Sequence, residues 1–259
     1  MVIDGHCHVW PDAIADQALS LPVEDLRRFA DGKVSSLIAD MDRAGVDRAI
    51  CLAVADSPRR LDGANHFVAS LPADRFVGFG SVHPGASVAE NLDSLRRHGL
   101  RGVKVHPLFQ HYRLDDPALG EILDALQGEF VATIHVGEGG TPEENERCTP
   151  QMLAALCRRF PRLEVIACHF GGYKLLDEVE EIVVGLPVTI DTSWSPSLAV
   201  LDPARVRSII ERHGPDRVVF GSDWPMADPA AEIAAIEALG LAADDVEAVL
   251  GGNLQRLLA

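Results

Sequence analysis

Two histidines, His6 and His8, are separated by a single residue in an apolar segment near the start of the chain. Residues two apart in an extended strand project from the same face, so both imidazoles face one way while Cys7 faces the other. Two imidazoles at this spacing can chelate one divalent cation. Taken alone, the pattern fits two histidines on a solvated strand face equally well.

Further polar side chains end later apolar segments, and nearly all of those segments run into a glycine or a proline. These side chains are His83, Lys104, His106, His135, His169, Asp191 and Asp223. In a barrel of parallel strands the carboxyl ends all meet at one mouth, where active sites lie, whereas an open sheet would spread these groups along a line. Their positions therefore favour a closed barrel with one polar site.

Eight short segments have the apolar, β-branched composition of strands. They span residues 2–8, 47–54, 76–84, 100–107, 130–138, 163–172, 187–194 and 217–225. Amphipathic stretches separate them, and three of these stretches begin with an N-cap residue followed by proline, at Thr149-Pro150, Asp202-Pro203 and Asp228-Pro229. The alternation predicts an α/β fold, a single (β/α)8 TIM barrel, with an open doubly wound sheet as the alternative.

The chain has 259 residues, of which 47% are hydrophobic and 24% charged, and this composition is typical of a folded protein with a large core. The length fits one barrel domain over residues 1–259. A net charge of -16 disfavours binding to nucleic acid or to an anionic membrane. Five cysteines without CxxC spacing, and a start that lacks a signal segment, indicate reduced thiols and a cytoplasmic location.

The strand-end motifs resemble those of the amidohydrolase superfamily, in particular its amidohydrolase-related branch, which includes enzymes of the aminocarboxymuconate-semialdehyde decarboxylase type. The matching motifs span the chain and read DGHCH, GVKVHP, IHVG, CHFGG, TIDTS, GSDWP and GGNLQRLL. The resemblance implies that His6, His8, His135 and Asp223 hold a divalent metal, with Asp223 also handling protons. Three nitrogens and one carboxylate suit Zn²⁺ or a similar ion.

The number of metal ions depends on Lys104, because binuclear relatives carry a carboxylated lysine on strand four and mononuclear relatives do not. We expect Lys104 to contact a substrate carboxylate or to support the structure, and therefore one ion per chain. The alternative is a carbamate bridge with a second ion. In the same way, His169 is either a ligand of that second ion or a catalytic residue that faces the substrate.

We expect the remaining polar and aromatic residues near the mouth either to contact the substrate or to support the site. The candidate substrate contacts are Trp10, His83, Lys104, His106 and Trp224, with packing as the alternative for the aromatic and histidine side chains. Asp4 is expected on the face of His6 and His8 but deeper, as support, and Asp191 is expected either to support the site or to face the substrate. The histidines expected at the surface are His66, His98, His111 and His213.

These expectations define a metal-dependent hydrolase in which a metal-activated water cleaves a C–N or C–O bond of a small substrate. Asp223 would transfer the proton and His169 would steady the developing oxyanion. A metal-dependent, non-oxidative decarboxylase of a small carboxylated substrate is the alternative, since the ligand set is shared. The short chain favours hydrolysis, because the decarboxylases commonly carry larger insertions.

Two other classes are disfavoured. A TatD-type nuclease normally has an acidic residue where this chain has Lys104, and the negative net charge opposes DNA binding. An inactive metal-binding protein would be expected to lack a ligand, and none is missing. The substrate is expected to be set by Pro11 to Gly32, the longest insertion and a candidate lid, and by Gly137 to Cys148. A homodimer is the base-rate expectation for the assembly.

Overall fold

A computed structural model gives the fold and describes residues 1–19 and 28–259. Eight strands form one sheet in sequence order. The strands are β1 Ile3–Cys7, β2 Arg48–Leu52, β3 Phe76–Ser81, β4 Gly102–Val105, β5 Val131–Ile134, β6 Glu164–Ala167, β7 Thr189–Asp191 and β8 Val218–Val219. Each lies within one of the eight segments predicted from the sequence, and successive strands pair in parallel, so the (β/α)8 prediction is confirmed.

Helices connect and surround the strands. In the described ranges the α-helices are α1 Asp12–Ala18, α2 Val34–Ala44, α3 Pro58–Ala69, α4 Val88–Arg97, α5 Pro117–Leu126, α6 Pro142–Asn145, α7 Pro150–Arg159, α8 Leu176–Glu178, α9 Pro203–His213, α10 Pro229–Glu237, α11 Ala243–Glu247 and α12 Asn253–Leu257. The three predicted N-caps are confirmed, because Thr149, Asp202 and Asp228 each accept a backbone N–H of the helix that follows.

Hydrogen bonds between β1 and the chain around β8 bring the two ends of the sheet together. The N–H of Gly5 donates to the carbonyl of Phe220 at 2.8 Å, and the N–H of His8 donates to the carbonyl of Trp224 at 2.7 Å. Gly5 permits this approach, since a Cβ at that position would lie 2.9 Å from the Phe220 oxygen. An open sheet is thereby excluded, and all strand ends share one mouth.

The apolar core has two layers. The inner layer fills the base of the barrel and consists of Ile3, Ile50, Leu52, Phe79, Val131, Ile166, Val219 and Leu254. A larger outer layer lies between the strands and the helices. Because the inner layer occupies the base, the polar side chains at the strand ends converge above it at the mouth.

The insertion after β1 was predicted as a lid, and its residues 20–27 lie outside the described residues. The C-terminal end of the insertion contacts the chain after β8. The N–H groups of Phe29 and Ala30 donate to the carbonyl of Pro225 at 2.8 and 3.1 Å. Among the helices of the described ranges, none is both long and apolar enough to cross a bilayer.

Candidate metal centre

His6 and His8 lie at the end of β1, and their outer hydrogen bonds fix both ring tautomers. His6 Nδ1 is 2.8 Å from Asp191 Oδ2, and His8 Nδ1 is 3.2 Å from the carbonyl oxygen of Leu52. A carboxylate or carbonyl oxygen can only accept, so each ring carries its proton on Nδ1. Each Nε2 therefore carries a lone pair.

These two lone pairs converge, because His6 Nε2 and His8 Nε2 are 3.2 Å apart. A proton does not bridge them at neutral pH, since burial, reinforced by the Lys104 ammonium, lowers the pKa of His8 to about 3 and that of His6 well below its usual value. Two convergent imidazole lone pairs without a proton fit a metal cation. The donor set thus suits the divalent ion that the sequence predicts.

Asp223 follows β8 and turns its carboxylate towards the same point. Its Oδ1 lies 3.4 Å from His6 Nε2 and 3.9 Å from His8 Nε2. One ligand atom from each of these three residues lies within 4.8 Å of the others. Burial raises the pKa of Asp223 to about 7, against the opposing influence of Lys104 and of a hydrogen bond from Ser195. A carboxyl group with such a pKa can both accept and return a proton.

The fourth predicted ligand, His135, does not belong to that close group. Its Nδ1 lies 3.1 Å from His169 Nε2, and its Nε2 is buried without a hydrogen-bond partner in the described part of the chain. The ring stacks on His106, with centroids 4.2 Å apart and planes inclined by 8°. His135 is therefore adjacent to the centre through His169, whose ring centroid is 5.2 Å from that of His6.

His169 is held as an acceptor at Nε2. Its Nδ1 lies 3.1 Å from the carbonyl oxygen of Ser193 and 2.8 Å from the Ser193 hydroxyl, which itself donates to Asp191 Oδ1 at 2.6 Å. The proton of the neutral ring is consequently on Nδ1, and burial lowers the pKa of His169 to about 4. These contacts favour a role as base or ligand over the oxyanion donor expected from the sequence, which would need a proton on Nε2.

Asp191 supports the centre through both carboxylate oxygens. Oδ2 accepts from His6 Nδ1, while Oδ1 accepts from the N–H groups of His169 and Ser193 and from the Ser193 hydroxyl, at 2.6 to 3.1 Å. Such an outer carboxylate fixes the orientation of a ligating histidine and increases its basicity. The contacts of Asp191 match the supporting expectation. Ser193 was missed by the sequence analysis, although it stands in the alternating serines of TSWSPS.

Lys104 points into the barrel, as predicted, and its side chain is fully buried. Its Nζ lies 3.2 Å from His6 Nε2 and donates to Cys168 Sγ at 3.0 Å. The ammonium is therefore part of the centre, with a thiol as its partner. Cys168 is a further residue that the sequence analysis did not select.

The contacts of Asp4 match its expected supporting role, although the strand alternation used to place it on the face of His6 and His8 is interrupted. The pairing of β1 with β2 shifts in register between Asp4 and Cys7, so simple alternation does not extend from His6 to Asp4. The Asp4 carboxylate instead accepts from the hydroxyl and N–H of Ser222, at 2.5 and 3.0 Å, and from the N–H of His6. Asp4 supports the site by joining β1 to the chain after β8.

His169 and Asp223, the two proposed catalytic residues, both have left-handed backbone angles, with φ of 59° and 61°. This conformation costs a non-glycine residue on the order of 1 kcal/mol and persists only where the surroundings impose it. Each residue lies where the chain turns at the end of a strand. The same conformation occurs at His111, Phe170 and Lys174, so this strain is present at the mouth but is not confined to the two site residues.

The candidate substrate contacts are placed in different environments. Trp10 is half-buried and lies against His8, with ring centroids 6.1 Å apart, while His83 is partly exposed and accepts from the N–H of Gly85. His106 is buried on His135. Trp224 has no exposed surface, and its indole N–H donates to Asp40 of α2 at 3.0 Å, so packing replaces the expected substrate contact.

One histidine expected at the surface is buried. His213, at the end of α9, is fully covered, and its Nε2 donates to the carbonyl of Val188 at 2.7 Å. The acceptor belongs to the segment before β7, so helix position alone could not indicate it. His213 therefore serves the packing of α9 and not the mouth.

The fold and this cluster define a (β/α)8 protein with a histidine and aspartate centre at the barrel mouth. The family model described as Amidohydrolase matches residues 3–259. The chain therefore belongs to the amidohydrolase family, and the resemblance noted in the sequence is confirmed.

Three proteins illustrate the similarity. The L-fucono-1,5-lactonase of Burkholderia ambifaria is 26% identical, over 87% of this chain and 80% of the lactonase. An uncharacterized TIM-barrel protein of Bordetella bronchiseptica has a TM-score of 0.79 at 18% identity, with 99% of this chain and 98% of that chain covered. The 5-carboxyvanillate decarboxylase of Sphingomonas paucimobilis has a TM-score of 0.73 at 19% identity, with the same coverage. The two structural similarities establish the fold alone, and the named relatives include both a hydrolase and a decarboxylase.

Proposed function

We propose that the protein is a metal-dependent hydrolase that cleaves a C–N or C–O bond of a small substrate, with a lactone as the first candidate. The observation that carries the proposal is the convergence of two unprotonated imidazole nitrogens, of His6 and His8, beside the Asp223 carboxylate. The lactone is suggested by the sequence similarity to L-fucono-1,5-lactonase. Zn²⁺ and a cytoplasmic location remain part of the proposal.

The divalent ion would be held by His6, His8 and Asp223, with His135 as the fourth proposed ligand, and would lower the pKa of a water molecule and polarise the substrate carbonyl. Asp223 accepts the proton of the attacking water and returns it to the leaving oxygen or nitrogen, and its Oδ1 faces the two imidazoles that would hold the ion. Asp191 keeps the proton of His6 on Nδ1, so that Nε2 stays unprotonated. Lys104 contributes positive charge beside His6.

Decarboxylation is the second candidate, because the Lys104 ammonium lies at the same centre and could balance a substrate carboxylate. In that reaction Asp223 would supply the proton that replaces carbon dioxide. The fold shared with 5-carboxyvanillate decarboxylase is compatible with this alternative.

The test is a direct comparison of the two reactions with metal-loaded protein. L-Fucono-1,5-lactone and related aldono-1,5-lactones are incubated in water enriched in oxygen-18, and 5-carboxyvanillate is incubated in parallel with detection of carbon dioxide. We expect lactone-dependent acid release, with one labelled oxygen in the product, that stops on chelation and returns with Zn²⁺. Carbon dioxide release without lactone hydrolysis would reject the hydrolase in favour of the decarboxylase.

A further inference from the structure

The segment after β7 carries serines at three alternate positions, and each hydroxyl contacts a different group. Ser193 lies among Asp191 and the imidazoles, as described above. Ser195 donates to Asp223 Oδ2 at 3.0 Å, and Ser197 donates to Glu232 Oε1 at 2.5 Å. The segment thus connects the metal centre to the first turn of α10.

Glu232 is a buried carboxyl group that the proposed reaction does not use. Its exposed fraction is 1%, and it accepts hydrogen bonds from the Ser197 hydroxyl and from the N–H of Leu198, the latter at 2.8 Å. Burial of a carboxyl group is costly, and here it raises the pKa of Glu232 to about 7. Both donors belong to the segment after β7, whereas Glu232 belongs to the helix after β8. Glu232 therefore joins α10 to the segment after β7.

Asp223 is the residue that this connection can orient. Ser195 donates to Oδ2, whereas Oδ1 is the oxygen closest to His6 Nε2 and His8 Nε2. The backbone of Ser195 is itself held, because the Tyr173 hydroxyl donates to the Ser195 carbonyl at 3.0 Å. The two oxygens of Asp223 thereby have separate partners.

We propose that Ser195 is a positioning residue for Asp223, and that Glu232 secures Ser195 by clamping the segment after β7 through Ser197 and Leu198. The hydroxyl of Ser195 keeps Oδ1 turned towards the two imidazoles. The inference rests on the proposed function in that Asp223 is taken as a metal ligand and proton carrier.

The test uses the full-length protein loaded with Co²⁺, whose visible absorption reports the ligand geometry without any substrate. Ser195→Ala is compared with Ser195→Thr, which keeps a hydroxyl, and Glu232→Met with Glu232→Gln, which keeps an acceptor for Leu198. Ser94→Ala is the matched control, because Ser94 is also buried and its hydroxyl also donates to a carboxylate, that of Asp62, but on α4. The kcat and KM for the best lactone are measured on the Zn²⁺ forms.

We expect Ser195→Ala to alter the Co²⁺ spectrum and to lower kcat by about 10- to 100-fold with little change in KM, the range typical for an outer partner of a metal ligand. Ser195→Thr should restore both properties. Glu232→Met should reproduce a smaller part of the change, while Glu232→Gln and Ser94→Ala should resemble the wild type. Restoration by Ser195→Thr separates loss of the hydroxyl from general misfolding.

A Ser195→Ala protein with the wild-type spectrum and kcat would overturn the inference, as would a Ser195→Thr protein as impaired as Ser195→Ala. If the wild type binds Co²⁺ but hydrolyses none of the lactones, the hydrolase proposal fails separately, and the spectra alone then decide the role of Ser195.

Discussion

On the side of the mouth formed by β1, β7 and β8, hydrogen-bond acceptors behind the imidazole rings determine which ring nitrogen carries the proton. The Nδ1 atoms of His6 and His8 face Asp191 and the Leu52 carbonyl, and their Nε2 atoms converge. On the side formed by β4 and β5, His106 and His135 stack face to face, and His135 Nε2 lacks a hydrogen-bond partner among the described residues. Carboxylate support is thus concentrated on the first side.

The difference indicates that the two sides of the mouth are not equally prepared to bind a metal. A metal ligand is effective when its lone pair is already aimed, and this requires an outer acceptor such as Asp191. The rings of His106 and His135 stack on each other, and neither ring has a carboxylate hydrogen-bond partner among the described residues. We infer that the first side is preorganised for the metal to a greater degree than the second.

The largest expected effect comes from Asp223→Asn on the first side. An amide cannot carry the proton between water and leaving group, so kcat should fall by about 10³-fold. His6 and His8 remain, so the variant should still bind metal. Turnover of the best lactone is measured together with metal content by elemental analysis. Near-normal turnover in a metal-containing Asp223→Asn protein would contradict the role of Asp223.

Asp191→Asn tests whether the outer carboxylate fixes the tautomer of His6. The three donors at Oδ1, from His169 and Ser193, require the amide oxygen on their side, so the amide NH₂ must face His6 Nδ1. His6 would then be protonated on Nε2 and lose the convergent lone pair. We expect a loss of Zn²⁺ affinity of about 10- to 100-fold.

The affinity of the Asp191→Asn protein is measured by competition with a chromophoric chelator. Asp216→Asn, a change of an exposed carboxylate, is the control. An affinity within about twofold of the control, well below the range expected for an outer ligand, would remove the distinction between the two sides of the mouth.

Much of this arrangement was predictable because it follows from local pattern. The period of two in β1 placed His6 and His8 together, and closure of the barrel brought Asp223 to them from the far end of the chain. The outer partners were not predictable in the same way. Ser195 and Glu232 are ordinary residue types whose roles depend on contacts between two separate loops.

Burial of side chains away from the site was equally hard to predict. Trp224 was expected at the mouth from its position beside Asp223, but its indole has an acceptor, Asp40, on a helix far away in sequence. His213 similarly depends on the Val188 carbonyl. In both cases the acceptor comes from another element, and a single segment of sequence does not contain it.

Glu232→Gln tests the electrostatic cost of the support on the first side. The pKa of Glu232 is raised above the value of the unfolded chain, so the folded state binds the proton more tightly and loses stability as the pH rises from 4.5 towards 7. Glutamine carries no charge and lacks this loss. At about 1.4 kcal/mol per pKa unit, with allowance for the retained hydrogen bonds, the variant should gain about 2 kcal/mol in free energy of unfolding above neutral pH.

Urea unfolding of the wild type, Glu232→Gln and the exposed-site control Glu247→Gln is compared at about pH 5, near the start of the expected transition, and at about pH 8, beyond its end. The difference between Glu232→Gln and the wild type should be larger at the higher pH. A difference that is equal at both values would show that the charge of Glu232 carries no such cost.

The smallest expected effect is that of Lys104→Met on metal content. This variant tests whether Lys104, on β4, contributes to metal binding. Lys104 Nζ already contacts Cys168 Sγ and His6 Nε2 within a fully buried space, so we expect an unmodified amine and one ion per chain. Methionine fills a similar volume without a charge, and the metal content should stay at one. The measurement is elemental analysis with and without added bicarbonate, with Lys33→Met as the surface control. Two ions in the wild type, falling on Lys104→Met, would instead indicate a carboxylated lysine, and His169 would then be a ligand of the second ion.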